Sequence, residues 1–240
     1  MWPAQHCLNG KRQSPINIIV ENTTLAKNEP LQFDEKFGEK LKANIRSEDY
    51  IVEVYLDDLS TKAEILEGGL NGSYSFLRLE FHWLSQHTID NRSFPLEVTS
   101  VFYASKYGDP VSAIPHEDGF VALSTFYNIT DQSNPIFDNL LRSIPEIRHK
   151  MNNDPVPLKE EIILSDFMSK NDERYFTYPG SYTRPVCDEI VTCLVFEGPF
   201  YLSFDQYYTL TGIKDDEDNP IFYNNRDIQN QNGRTVYRSA

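Results

Sequence analysis

No run of 18 apolar residues occurs in the 240-residue chain, so no helix in it is long and apolar enough to span a bilayer. Basic residues are scarce. The 22 Lys+Arg stand against 36 Asp+Glu, a formal charge of −14. Phosphate binding needs clustered Lys and Arg, so the acidic balance argues against nucleic acid as a partner. It argues equally against an anionic membrane surface. No basic start leads into an apolar core, so this chain carries no signal peptide. That leaves location open, because a mature chain has lost its signal. Internal repeats, low-complexity linkers and shifts of composition are missing as well. With 40% hydrophobic and 24% charged residues the composition is globular. One domain over residues 1–240 is the default, two small ones the alternative. The length suffices to bury a sizeable core without staples.

Several catalytic signatures are missing. There is no Gly-rich phosphate loop, no Gly-x-Ser-x-Gly elbow, and no cysteine–histidine protease signature. Cysteine is limited to Cys7, Cys187 and Cys193, spaced too widely for a zinc clip. Three cysteines allow one disulfide and one leftover thiol, and arithmetic alone does not choose the pair.

What is present reads as sheet. The chain holds 15 Phe and 14 Tyr, with many Val, Ile and Thr. Period-2 alternation runs through Tyr50–Tyr55, Ser75–His82, Leu96–Tyr103 and Ile190–Phe196. Turn signals recur between such segments, among them Gly68-Gly69, Gly108-Asp-Pro110, Asp118-Gly119 and Pro179-Gly180. Two stretches predict helix. Pro135–Leu141 follows Asn134 as a cap, and Ser203–Leu210 has Phe204, Tyr207 and Tyr208 at helical spacing. The acidic run from Lys214 to Asp218 predicts a solvated loop. Four N-glycosylation patterns begin at Asn22, Asn71, Asn91 and Asn128 and point modestly to a secreted protein.

The opening Gly10-Lys-Arg-Gln-Ser-Pro-Ile-Asn-Ile18 resembles the N-terminal signature of the α-carbonic anhydrases. Leu79-Glu-Phe-His-Trp83 is similar to that family's His-Phe-His-Trp strand. Gln86-His-Thr-Ile-Asp90 is similar to its Glu-His-Thr-Val-Asp, and Leu96–Val101 to its Glu-Leu-His-Leu-Val strand. Lys106-Tyr-Gly-Asp109, Asp118-Gly119, Tyr178–Pro185 and Asn225-Arg226 with Gln229 continue the match in order. The resemblance runs from Trp2 to the C-terminus. It implies a mixed α/β, β-dominated fold: a large, twisted, mostly antiparallel central sheet with a conical cavity. In the family a zinc ion sits at the cavity floor on three histidines. Side chains at i and i+2 share a strand face, so two neighbouring strands supply three ligands and leave a position for water. The metal brings that water's pKa to about 7, giving the hydroxide that attacks carbon dioxide.

At those positions the sequence departs from the family. The ligand positions hold Glu80, His82 and Thr99, so one imidazole of three remains. The proton-shuttle histidine falls at Glu48, whose ordinary pKa near about 4.3 suits no proton relay at neutral pH. The threonine beside the zinc hydroxide is kept as Thr183. Its carboxylate partner is Gln86, and the next cavity residue is Arg184. Tyr182 replaces a leucine of the apolar wall. The glutamine that orients one zinc-bound histidine falls at Arg78, and Glu97 falls where the family orients its third histidine. His82 is expected as a hydrogen-bonded cavity histidine and His87 as a buried structural one. His6, His116 and His149 follow no ligand spacing and are expected at the surface. Unpaired buried carboxylates are costly. Glu80 and Glu97 are therefore expected in a charge-assisted network with Arg78, Arg184 or His82. The alternative is a hydrated cavity with Arg184 turned to solvent. The resemblance also implies a Cys7–Cys187 disulfide, with Cys193 a buried thiol on the cavity wall. Closing about 180 residues is worth roughly 5 kcal/mol in the chain-entropy model, an upper estimate.

The implied protein is a zinc-free, catalytically silent, secreted member of the family. It has no cofactor and no membrane insertion, and it acts by binding an unknown protein or extracellular ligand. The alternatives are an extracellular storage or matrix protein on the same fold, and a residually active enzyme with an altered metal site at Glu80 and His82.

Overall fold

The alternating segments form the centre of a 13-stranded mixed sheet in the computed structural model, which describes residues 5–58, 60–148, 154–168, 174–215 and 217–239. The strands that matter for the site are β1 (Ala43–Glu48), β2 (Ile51–Leu56), β3 (Tyr74–Trp83), β4 (Leu96–Ala104), β5 (Phe120–Thr130), β6 (Tyr175–Gly180), β7 (Val191–Phe196) and β8 (Phe200–Ser203). Across the sheet they run β1-β2-β3-β4-β5-β7-β6. Every ladder in that row is antiparallel except β5 with β7. Strand β8 adds to the outer half of β5, also in parallel.

Alternation divides the side chains between two faces. Val52, Val54, Leu79, Phe81, Trp83, Val98 and Leu123 enter the larger apolar core. Val101, Phe126, Tyr178, Val191 and Cys193 line a smaller cluster on the opposite face. A register shift falls in β3 between Phe76 and Arg78. Tyr74 and Phe76 join the large core before it, and Leu79, Phe81 and Trp83 join the same core after it. The extra residue therefore switches the parity of the strand. It turns Arg78, Glu80 and His82 together onto the face of the smaller cluster.

Both predicted helices form. Helix α1 (Pro135–Leu141) starts on Asn134, whose side chain accepts from the Ile136 N–H. Helix α2 (Phe204–Leu210) starts with a capping box made by Ser203 and Gln206. Gln206 Nε2 also donates to the Asn134 carbonyl and to Asp138 Oδ1, at 2.8 and 2.9 Å, which ties the two helices together.

Cys7 and Cys187 form the disulfide, with S–S 2.08 Å and Cα atoms 5.1 Å apart. Cys193 is free and buried. The bridge fastens the helical turn Gln5–Asn9 to the loop that follows β6. A buried hydrogen-bond knot surrounds it. Arg226 donates to the carbonyls of Cys7 and Ser14 and to Gln13 Oε1, and Gln13 Nε2 donates to the Cys187 carbonyl. Non-reducing peptide mapping is expected to recover Cys7 joined to Cys187, with Cys193 alkylated only after unfolding. Cys187→Ser is expected to lower stability by about 2–5 kcal/mol in denaturant titration.

Candidate functional site

Pairing register places five polar residues opposite one another on consecutive strands. Arg46 faces Glu53, Glu53 faces Glu80, Glu80 faces Thr99, and Thr99 faces Ser124. The next row along sets His82 against Glu97. Both rows lie on the face of the smaller cluster, where the resemblance implied a metal site.

Glu53 and Glu80 are both buried and directly opposite. Like charges in that position repel, and burial raises the cost. Guanidinium groups neutralise them. Arg184 Nη2 donates to Glu53 Oε1 at 2.5 Å and to Glu80 Oε1 at 2.7 Å. Arg78 Nε donates to Glu80 Oε1 at 2.7 Å and lies 3.2 Å from Glu53 Oε1. Arg46 takes the other oxygen of Glu53 through Nε and Nη2, at 3.0 and 2.8 Å, and also pairs with Glu48 at 2.5 Å. Arg46, Arg78 and Arg184 thus match Glu48, Glu53 and Glu80 charge for charge. Burial pushes the Glu80 carboxyl up, but Arg184 and then Arg78 outweigh it and hold it well below the usual carboxylate range. Burial lowers the Arg184 guanidinium, and Glu80 with Glu53 reverses that, leaving it above its ordinary value.

Three expectations are corrected. Glu97 meets neither arginine nor His82. It accepts the backbone N–H of His87 at 2.8 Å and stands 2.9 Å from His87 Nδ1. It lies one row further along the sheet, beside the segment that carries His87, and that segment reaches it first. Burial raises the Glu97 carboxyl, yet the His87 charge takes it down to about 2. Burial lowers His87, yet Glu97 raises it to about 9. The other ring nitrogen of His87 is 2.7 Å from Tyr178 Oη, which donates to Ser14 Oγ at 3.0 Å. The second correction concerns His82. It is fully buried, and among the described residues neither ring nitrogen has a partner at good hydrogen-bond geometry; its polar neighbour is Glu80, with Nε2 3.5 Å from Oε2. The third is the extent of the network. Glu53 and Arg46, which sequence reading missed, hold as much of it as Arg78. A signal was available: Glu53 interrupts Ile-Val-Glu-Val-Tyr at the parity that faces Glu80.

Gln86 is oriented without ambiguity. The Arg226 backbone N–H lies 2.9 Å from Gln86 Oε1, and a backbone N–H can only donate. The amide nitrogen must then face Thr183 Oγ1, at 2.7 Å. Thr183 accepts at this contact, and its own proton turns elsewhere. Opposite a carboxylate the hydroxyl would donate, so the hydrogen-bond sense is reversed. Tyr182 packs on Phe120 with ring centroids 5.1 Å apart. Tyr182, Thr183, Thr99 and Cys193 help to line a small cavity of about 30 Å³, enough for water.

A catalytic zinc needs three protein ligands and an open fourth position. Here Glu80 Oε1 is engaged by Arg78 and Arg184, Thr99 is a neutral hydroxyl, and His82 is one imidazole. Among the described residues no group of three or more His, Cys, Asp or Glu is placed to hold a metal ion. The donor set does not fit zinc.

The remaining residues singled out in the sequence are dispersed. Asn22, Asn71 and Asn91 are exposed, and Asn128 is half-buried at the outer end of β5. Asn71 donates to Asp118 at 3.0 Å, and Asn91 accepts from Asn17 at 2.8 Å. Exposed His116 stacks on Tyr107 at 3.8 Å. Trp2, His149 and the side chain of His6 lie outside the described residues.

The family described as eukaryotic-type carbonic anhydrase matches residues 1–240. The chain belongs to this family. It is 30% identical to carbonic anhydrase 7 of Mus musculus over 242 residues, covering 96% of this chain and 89% of the relative. Carbonic anhydrase 4 of Rattus norvegicus is 29% identical over 240 residues, 95% of this chain and 75% of the relative. Carbonic anhydrase 7 of Homo sapiens is 28% identical over 242 residues, with the same coverage as its mouse counterpart.

Arg184→Ala is expected to destabilise the fold by on the order of 2–4 kcal/mol, measured by denaturant titration, because two buried carboxylates then share fewer cations. The Glu97–His87 pair sets a pH window. Glu97 is depressed, so its contribution is present above about 4.5 and lost as pH falls toward 2. His87 is raised, so its contribution is present below about 6.5 and lost as pH rises through 9. Thermal midpoints are expected to peak between those limits and to decline through pH 9. Glu97→Gln should flatten the alkaline decline.

Proposed function

We propose that this chain is a zinc-free, catalytically silent member of the carbonic anhydrase family that acts outside the cell by binding. One observation carries the reading: Arg184 bridges Glu53 and Glu80 where the family places a metal ligand. A guanidinium at 2.7 Å from Glu80 puts positive charge where a metal dication would need its absence. Thr99 in place of an imidazole and the reversed Gln86–Thr183 bond act in the same direction. Glu48, at the shuttle position, is paired with Arg46. The Cys7–Cys187 disulfide supports an oxidising compartment, and the four sequons agree with it. One domain spans residues 1–240 in this reading, with the ion network as the vestige of its metal site. The charge of −14 favours a second reading, an acidic storage or matrix protein on the same fold.

Elemental analysis of the purified secreted protein is expected to show zinc far below one ion per chain. Carbon dioxide hydration is expected at the uncatalysed rate. Stoichiometric zinc, or turnover blocked by a zinc-binding sulfonamide, would overturn the reading. Glu80→His with Thr99→His is expected to recover metal uptake in a binding titration before it recovers rate, since Gln86 and Arg184 remain.

A further inference from the structure

Helix α2 turns two rings outward. Phe204 and Tyr208 are 60% and 71% exposed, with ring centroids 6.3 Å apart and planes 18° from parallel. Four residues apart, they share one helix face. Immediately before the helix, Tyr201 on β8 is 56% exposed, and it pairs with Asn128 on β5 beside exposed Ile129. Large exposed rings gathered in one place mark contact surfaces more often than chance exposure does.

The two chain segments that carry these rings hold charge of one sign. Segments 128–141 and 200–211 contain Asp131, Asp138 and Asp205 and no Lys or Arg. All three carboxylates belong to exposed residues, and Asp138 is held beside α2 by its bond from Gln206. Cations begin beyond the C-terminal ends of the two helices. There Arg142 is paired with Glu160, and Arg148 lies against Gly212.

We propose that this face docks a basic peptide segment of a partner, one that presents clustered Lys or Arg. Aromatic faces attract ammonium and guanidinium groups, and neighbouring carboxylates complete the pairing. The charge of −14 steers a cationic partner toward the chain and repels a second copy of it. The proposal rests on the reading of the chain as a binding protein, but not on the state of the metal site.

The test is fluorescence anisotropy with dye-labelled oligo-arginine and oligo-lysine at physiological salt, using the secreted protein before and after enzymatic N-glycan removal. Phe204→Ser with Tyr208→Ser leaves the net charge unchanged, so charge attraction alone would survive it. This double variant is expected to weaken binding by about tenfold or more. Phe222→Ser with Tyr223→Ser, an equally exposed pair elsewhere, is expected to leave binding unchanged. Should the first variant melt early, Asp131→Asn with Asp205→Asn tests the same face and is expected to weaken binding several-fold. Equal binding by both ring variants would overturn the proposal, since the peptide would then sense net charge alone. Self-association of the parent protein that the α2 variant abolishes would give the face to a second copy. Binding that emerges only after glycan removal would give it to a sugar on Asn128. Zinc analysis of the same samples keeps failure here distinct from failure of the zinc-free reading.

Discussion

Two carboxylates that face each other on adjacent strands cannot both be buried and ionised unless a cation stands between them. Glu53 and Glu80 are in that position, and Arg184 Nη2 reaches both. Much else depends on this contact. Arg184 comes from the loop after β6, so the loop must be held against the sheet. The Cys7–Cys187 bridge does that from behind, and Arg226 reinforces it through the Cys7 and Ser14 carbonyls. The helical turn Gln5–Asn9, a loop and three strands are thereby fixed to one another through charge and sulfur as well as through apolar packing.

Such a network is not there because ion pairs are strong. Buried pairs roughly break even against well-packed apolar side chains, and the large cost falls on removing one partner. The consequence is mutual dependence. Replacing Glu80 by an imidazole would leave Glu53 and Glu48 facing three guanidiniums. Replacing Arg184 would leave two buried carboxylates on Arg78 and Arg46. Each single step away from the present arrangement passes through an unbalanced charge, so the network resists piecemeal change at any one of these positions.

The sequence made much of this legible, and the limits have physical causes. The four alternating segments and both helices carry strong local signals, period-2 patterning and capping side chains, and they form where those signals lie. The pairing of Glu80 with Arg78 and Arg184 follows from charge and strand parity. The partner of Glu97 is not legible in the sequence, because its surroundings depend on a segment ten residues upstream, and local pattern carries no such information. Glu53 was passed over because an isolated charge in an apolar strand is visible, whereas its register against Glu80 is not. The register shift between Phe76 and Arg78 was also hidden. Apolar and polar residues alternate acceptably on either side of it, and only the ladder reveals the extra residue.

The deepest change at the site is not a missing ligand but a hydrogen bond turned around. A carboxylate at position 86 would accept from Thr183 and leave that hydroxyl free to accept from whatever stands in the cavity. Gln86 does not accept from Thr183, because the Arg226 backbone N–H holds its oxygen and presents its amide nitrogen, so one lone pair of the hydroxyl is taken and its proton is left for another acceptor. That backbone N–H belongs to the residue whose guanidinium binds the Cys7 and Ser14 carbonyls. The sense of the cavity's hydrogen bonding is therefore set from outside the cavity, by the knot around the disulfide. The charge at Glu80 and the hydrogen-bond sense at Thr183 are fixed by separate contacts, Arg78 and Arg184 for the one and Gln86 with the Arg226 backbone for the other, so a change in one leaves the other in place.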